Sequence, residues 1–154
     1  TEQALMLKRQ EYERLVNDEI PENAAAIGLA ASHGDLSENA EWSAAIEKQG
    51  QLTRRSEEIG TDISRARVIK RSMQDGVRVT LGSRVRVIDG DGRERKYSIL
   101  GPWDADESHG RISYQSPLGH ALLGKKVEET AEIEVPAGKI SLRVLEISDG
   151  LPSA

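Results

Sequence analysis

The stretch SHGDLSENAEW, Ser32 to Trp42, carries three carboxylates, Asp35, Glu38 and Glu41, at three-residue intervals directly after a turn-forming His-Gly pair. Two kinds of chemistry fit that spacing. Asp35 followed by Glu38 has the form of a capping box, in which the Asp accepts from a backbone N–H of the first helical turn and the Glu reaches back. Acidic groups there also gain ~0.3–1 kcal/mol from the helix dipole. Alternatively, Asp35 and Glu38 are near enough to share a hard cation such as Mg2+, which takes oxygen ligands and accepts a shell completed by a partner's carboxylates and phosphates. Two carboxylates alone make a poor Mg2+ site, so metal chemistry here needs a second macromolecule to supply the remaining ligands.

Other residues offer less. His33 has no second ligand at metal spacing, and His109 and His120 fall in the C-terminal half without partners. No nucleophile and base are readable as a catalytic pair. Gly90 and Gly92 belong to a hairpin signal with no helix after it, which excludes a phosphate-binding Gly loop.

The elements that must position the carboxylates follow from periodicity. From Trp42, the positions Trp42, Ala45, Gln49, Leu52, Ser56, Ile59, Ile63 and Ala66 recur at alternating steps of three and four, which predicts a long helix with one adhesive edge. Upstream, Leu5, Tyr12, Leu15, Val16, Ile20, Ala24, Ile27 and Ala31 give a looser helical pattern that Pro21 interrupts, so a kink or restart is expected there. Joined by a short connection at Ser32–Gly34, the two helices should fold back as an antiparallel hairpin. Arms of about 30 residues make a rod of ~45 Å, with the carboxylates at a tip near residues 33–41.

Beyond Gly76 the pattern changes to alternation. The run from Val77 to Leu100 flanks Gly90-Asp91-Gly92, a strong hairpin signal, and GRISYQ and the pair around Ala137-Gly138 repeat it. Between them Ser116 to Lys126 reads as a short helix, with Ser116 as N-cap, Pro117 in its first position and Gly124 as its stop. The expected fold is α+β: an N-terminal coiled-coil hairpin over residues 1–74, then a small antiparallel β-sheet domain with one short helix over 75–154.

Composition bounds the rest. The chain has 154 residues, no Cys and no Phe, and aromatics make up 3%. Disulfides and thiolate metal sites are therefore excluded, a reducing cytoplasmic setting is expected, and thin extended structure is favoured over a bulky core. No apolar run approaches the ~20 residues that span a bilayer, so no membrane partner is expected. The net charge of −5 conceals segregation: acidic against basic residues number ten to four over 1–50, seven to twelve over 51–100 and nine to five over 101–154. The basic middle reads either as a solvated helix face or as a contact for a polyanion.

Two stretches, GDLSENAEW at 34–42 followed by Gly50, and ISYQSPLGHALLGK at 112–125, resemble the signatures of the bacterial Gre transcript-cleavage factors (GreA and GreB). The likeness runs in order from about residue 7 to 147. It implies a C-terminal domain that is similar to FK506-binding proteins and docks on RNA polymerase, here through Ser116, Pro117, Leu118 and Gly119. It also implies a hairpin that enters the polymerase secondary channel. The tip pair Asp35 and Glu38 would then help hold a second Mg2+ and a water, so that the polymerase hydrolyses the nascent RNA 3′ end of a backtracked complex. Glu41 is implied as a supporting residue, and Arg54 and Arg55 as contacts to RNA or the channel wall. The protein would act as a monomer and would be no enzyme by itself.

The chain also departs from the family pattern. Trp42 stands where the family usually has Tyr. Ser37 and Ile46 stand where Lys or Arg is common, which reduces the basic surface near the tip and should weaken contact with RNA phosphates. Those two positions motivate a second expectation, a Gre-like regulator that occupies the channel without stimulating cleavage. A prolyl isomerase is a weaker alternative, because the C-terminal half offers only Tyr97, Trp103 and Tyr114 to line an aromatic pocket.

Overall fold

The computed structural model describes residues 1–35 and 39–153. They divide into two compact units, one of Leu5–Arg67 and one of Thr1–Ala4 with Val68–Ala154. The first unit is a helical hairpin. Its leading arm runs as α1 (Glu2–Arg14), whose first residues belong to the other unit, then a π-helical turn (Leu15–Glu19) and α2 (Ile20–Ala31). The returning arm is α3 (Ala40–Arg65), 26 residues and about 39 Å long at the helical rise. Contacts pair Glu11 with Arg55, Asn23 with Ala45 and Gln49, and Ala30 with Asn39, so the arms are antiparallel.

The seam of α3 follows the three-four spacing. Trp42, Ala45, Gln49, Leu52, Ser56, Ile59 and Ile63 are buried or half-buried, and every other position of the helix is exposed except Gly60, which lies under the Tyr12 ring. Ser56 is tolerated inside because its hydroxyl donates to the Thr53 carbonyl at 2.7 Å.

The leading arm departs from expectation by one position. From Leu5 onward its shielded residues are Leu5, Lys8, Glu11, Leu15, Ile20, Asn23, Ile27 and Ala30, while Tyr12, Val16, Ala24 and Ala31 are exposed. All steps are three or four except the five from Leu15 to Ile20, where the Ile20 N–H bonds to the Leu15 carbonyl across a π turn. The irregularity thus precedes Pro21, which sits in the first turn of α2. A proline lacks the N–H and its ring crowds the carbonyl four residues back; widening the preceding turn relieves both without breaking the arm.

The second unit is a five-stranded sheet in the order β3-β2-β1-β5-β4, from β1 (Ser83–Ile88), β2 (Glu94–Leu100), β3 (Arg111–Ser113), β4 (Thr130–Val135) and β5 (Gly138–Asp149). The two expected hairpins form, with Gly92 and Gly138 at positive φ in their turns. The sheet is antiparallel except at its edge, where the three residues of β3 pair parallel to β2. One face packs a core of Val, Ile and Leu, including Val85, Val87, Ile99, Leu122, Ile133 and Val144, with Leu122 supplied by α4 (Pro117–Leu122). No aromatic ring is fully buried in it, in keeping with the composition. Ahead of the sheet, a 3-10 turn at Arg71–Met73 is tied to the end of β5: Arg71 Nε lies 2.5 Å and Gln74 Nε2 3.0 Å from the Asp149 carboxylate.

Candidate functional site

At the hairpin end, α2 closes with the Ser32 hydroxyl donating to the Leu29 carbonyl at 2.6 Å and the His33 N–H to the Ala30 carbonyl at 3.2 Å. Gly34 then takes φ +130, a conformation that L side chains rarely adopt. The connection is longer than Ser32–Gly34, because α3 begins only at Ala40. Its N-cap is Asn39, whose Oδ1 accepts from the Trp42 N–H at 3.0 Å; the capping box read at Asp35 and Glu38 runs through Glu38, which lies outside the described residues. Asn39 serves twice here because an amide offers two groups. While its oxygen caps α3, its Nδ2 donates to the Ala30 carbonyl at 2.6 Å and joins the two arms.

His33, Asp35, Asn39, Ala40 and Glu41 line a shallow, open depression at this end. Asp35 and Glu41 are exposed; Glu38 and Ser37 lie outside the described residues. Among the described residues no three His, Asp or Glu side chains converge as a metal would require. The carboxylate oxygens of Asp35 and Glu41 are of the donor type that suits a hard cation.

The two arginines differ. Arg54 is exposed on the outer face of α3. Arg55 reaches across the hairpin to Glu11, Nη2 to Oε1 at 2.8 Å. That bond, assisted by Lys8 at 3.2 Å, holds the Glu11 carboxyl below the usual carboxylate range.

Three residues of the Ser116–Gly119 segment make contacts within the second unit. Ser116 Oγ caps α4 by accepting from the Gly119 N–H at 3.1 Å, Leu118 packs on the core, and Gly119 is buried against the Ser113 carbonyl. Only Pro117 of the four is exposed.

His109, expected to lack partners, has two: its Nδ1 lies 2.6 Å from Asp106 and 3.0 Å from Ser108 Oγ. The bond from Ser108, then that from His109, keeps the Asp106 carboxyl below its ordinary range. Both neighbours address the same ring nitrogen, so no Ser-His-Asp relay exists here. Asn23 and Asn39 were absent from the sequence-derived site. An Asn directly before the first residues of a helix was the available signal for the second; a polar residue at a three-four position was the signal for the first.

Comparison with known proteins gives the family. The N-terminal transcription elongation factor profile matches residues 1–68, and the profile described as transcription elongation factor, GreA/GreB, C-term matches residues 74–149. The transcription elongation factor GreA of Thermodesulfovibrio yellowstonii is 43% identical over 141 residues, covering 91% of this chain and 89% of its own. That of Novosphingobium aromaticivorans is 43% identical over 133 residues, 82% of this chain and 84% of its own. The crystal structure of Thermus aquaticus Gfh1 aligns over 95% of this chain and 92% of its own at 27% identity and a TM-score of 0.43. With both profiles matched in order along the sequence, and such identity over most of its length, the chain belongs to the GreA/GreB family of transcription elongation factors.

Proposed function

We propose that this protein stimulates a bacterial RNA polymerase to hydrolyse the nascent RNA of a backtracked complex, contributing ligands to the polymerase active centre and owning no complete one itself. The observation that carries this reading is the hairpin tip, where a closed junction at Asn39 leaves the Asp35 and Glu41 carboxylates exposed at the end of a thin rod. Asp35 and Glu38 would hold a second Mg2+ together with carboxylates of the polymerase and phosphate of the RNA, and Glu41 would support them. When bound, that ion supplies charge neutralisation at the phosphate and a more acidic water. Arg54, free of any described intramolecular ion pair, is the better of the two arginines for RNA or the channel wall. The Ser116–Gly119 turn belongs to the unit that would dock on the polymerase. One copy suffices for this action, which belongs in the cytoplasm; no described helix is long and apolar enough to cross a membrane.

The test is RNA cleavage in stalled, backtracked elongation complexes, comparing the protein with its Asp35→Ala/Glu38→Ala form. Release of 3′ RNA fragments by the first only is expected; equal release by both would end the proposal. A second reading rests on Ile46, 43% exposed on α3 where a basic residue would favour RNA. In that case the protein occupies the channel and slows synthesis, and no shortened RNA is produced.

A further inference from the structure

We infer that Asn39 is a positioning residue for the tip carboxylates, acting through the backbone junction it closes; this rests on the reading that Asp35 and Glu38 share a divalent cation with a partner. One side chain makes both bonds of the junction. Its Oδ1 caps α3 at the Trp42 N–H, 3.0 Å, and its Nδ2 reaches the Ala30 carbonyl, 2.6 Å, at the buried end of α2. That bond joins the last turn of α2 to the first turn of α3 across the connection between them. Asp35 precedes that junction in the chain, Glu38 is its immediate neighbour in sequence, and Glu41 follows in the first turn of α3. Asp35 and Asn39 also line the same depression.

A capping residue alone would need only the oxygen, and Ser, Thr or Asp would serve as well. The amide hydrogen sent to Ala30 does something capping does not require: it fixes the distance between the arms at the point where the carboxylate-bearing loop leaves and returns. Groups that orient ligands without touching the ion typically govern its affinity by about 10- to 100-fold. A loosened junction would let the carboxylates sample more positions, and capture of a weakly held ion would need more of it.

The test is Asn39→Ser, which keeps a capping oxygen but is too short to bond Trp42 and Ala30 together. In the free protein, helix content by circular dichroism should be unchanged while amide hydrogen exchange over residues 32–39 rises several-fold. In backtracked complexes the Mg2+ concentration for half-maximal cleavage should rise by about tenfold, with the protein concentration for half-saturation unchanged. Wild-type exchange and an unmoved Mg2+ midpoint would overturn the inference, as would loss of helix content, which would make Asn39 a folding residue. Asp35→Ala/Glu38→Ala is run alongside. If that form cleaves normally, the parent reading fails and this inference with it; if it is inactive while Asn39→Ser matches wild type, only the inference fails.

Discussion

Asn23 and Gln49 meet across the hairpin, with Asn23 Nδ2 2.8 Å from Gln49 Oε1 and also 2.8 Å from the Ala45 carbonyl. Both hydrogens of the amide are therefore spent on the opposite arm, and Asn23 is only 6% exposed. A polar pair at seam positions lowers stability relative to an apolar one but selects a single register. Asn23→Ala should destabilise the hairpin by about 1–3 kcal/mol, since it leaves shielded acceptors without donors. Asn23→Leu should cost less. Thermal unfolding of the three proteins, followed by circular dichroism, checks the order; equal midpoints would show that the pair is energetically idle.

The Asp149 carboxylate predicts a pH dependence. It accepts from Gln74 Nε2 and the Leu151 N–H, both at 3.0 Å, and pairs with Arg71. These bonds, that from Gln74 foremost, lower its pKa from 3.8 to about 2. A carboxyl whose pKa is depressed on folding adds stability above its unfolded value and loses it as pH falls through the folded one. The second unit should therefore weaken between about pH 4 and about pH 2, and Asp149→Asn should flatten that part of the profile. Denaturant midpoints measured across the window decide it: identical slopes for both proteins would assign the loss to other groups.

Gly119 leaves no room for a side chain. A Cβ there would collide with the Ser113 carbonyl oxygen and lie 3.1 Å from Ser116 Oγ. Gly119→Ala should cost about 1–3 kcal/mol or more through forced displacement of backbone, whereas Pro117→Ala at the exposed neighbouring position should cost less. A binding assay with RNA polymerase then separates folding from docking. Reduced affinity in a fully folded Pro117→Ala protein would mark Pro117 as a contact, and unaltered affinity would remove it.

How much was legible in the sequence depended on what each element answers to. The α3 seam is an unbroken three-four repeat that holds from Trp42 to Ile63; Ala66, expected as its last position, is instead the extended C-cap of the helix. The same reading slipped on the leading arm because nothing in the hydropathy of Leu15–Glu19 announces a π turn, and because the run Ala24-Ala25-Ala26 fits either neighbouring face. The carboxylate spacing has the form of a capping box, but the cap at Asn39 carries a tertiary bond to Ala30 that local spacing does not encode. The hairpins of the sheet declared themselves through Gly92 and Gly138. The parallel pairing of β3 did not, since three edge residues carry no signal for their partner's direction.

The π turn has one further consequence. In an ordinary helical arm, gaining or losing a residue swings everything beyond it by roughly 100°, which would turn the Asn23 and Ala30 contacts out of register. Between Leu15 and Ile20 the arm already carries such a surplus residue with its adhesive edge still in line. That turn is a vernier: losing one residue there would tighten it to an ordinary turn and leave the junction at Asn39 facing as before, so single-residue length changes among relatives would be best tolerated at this point of the rod.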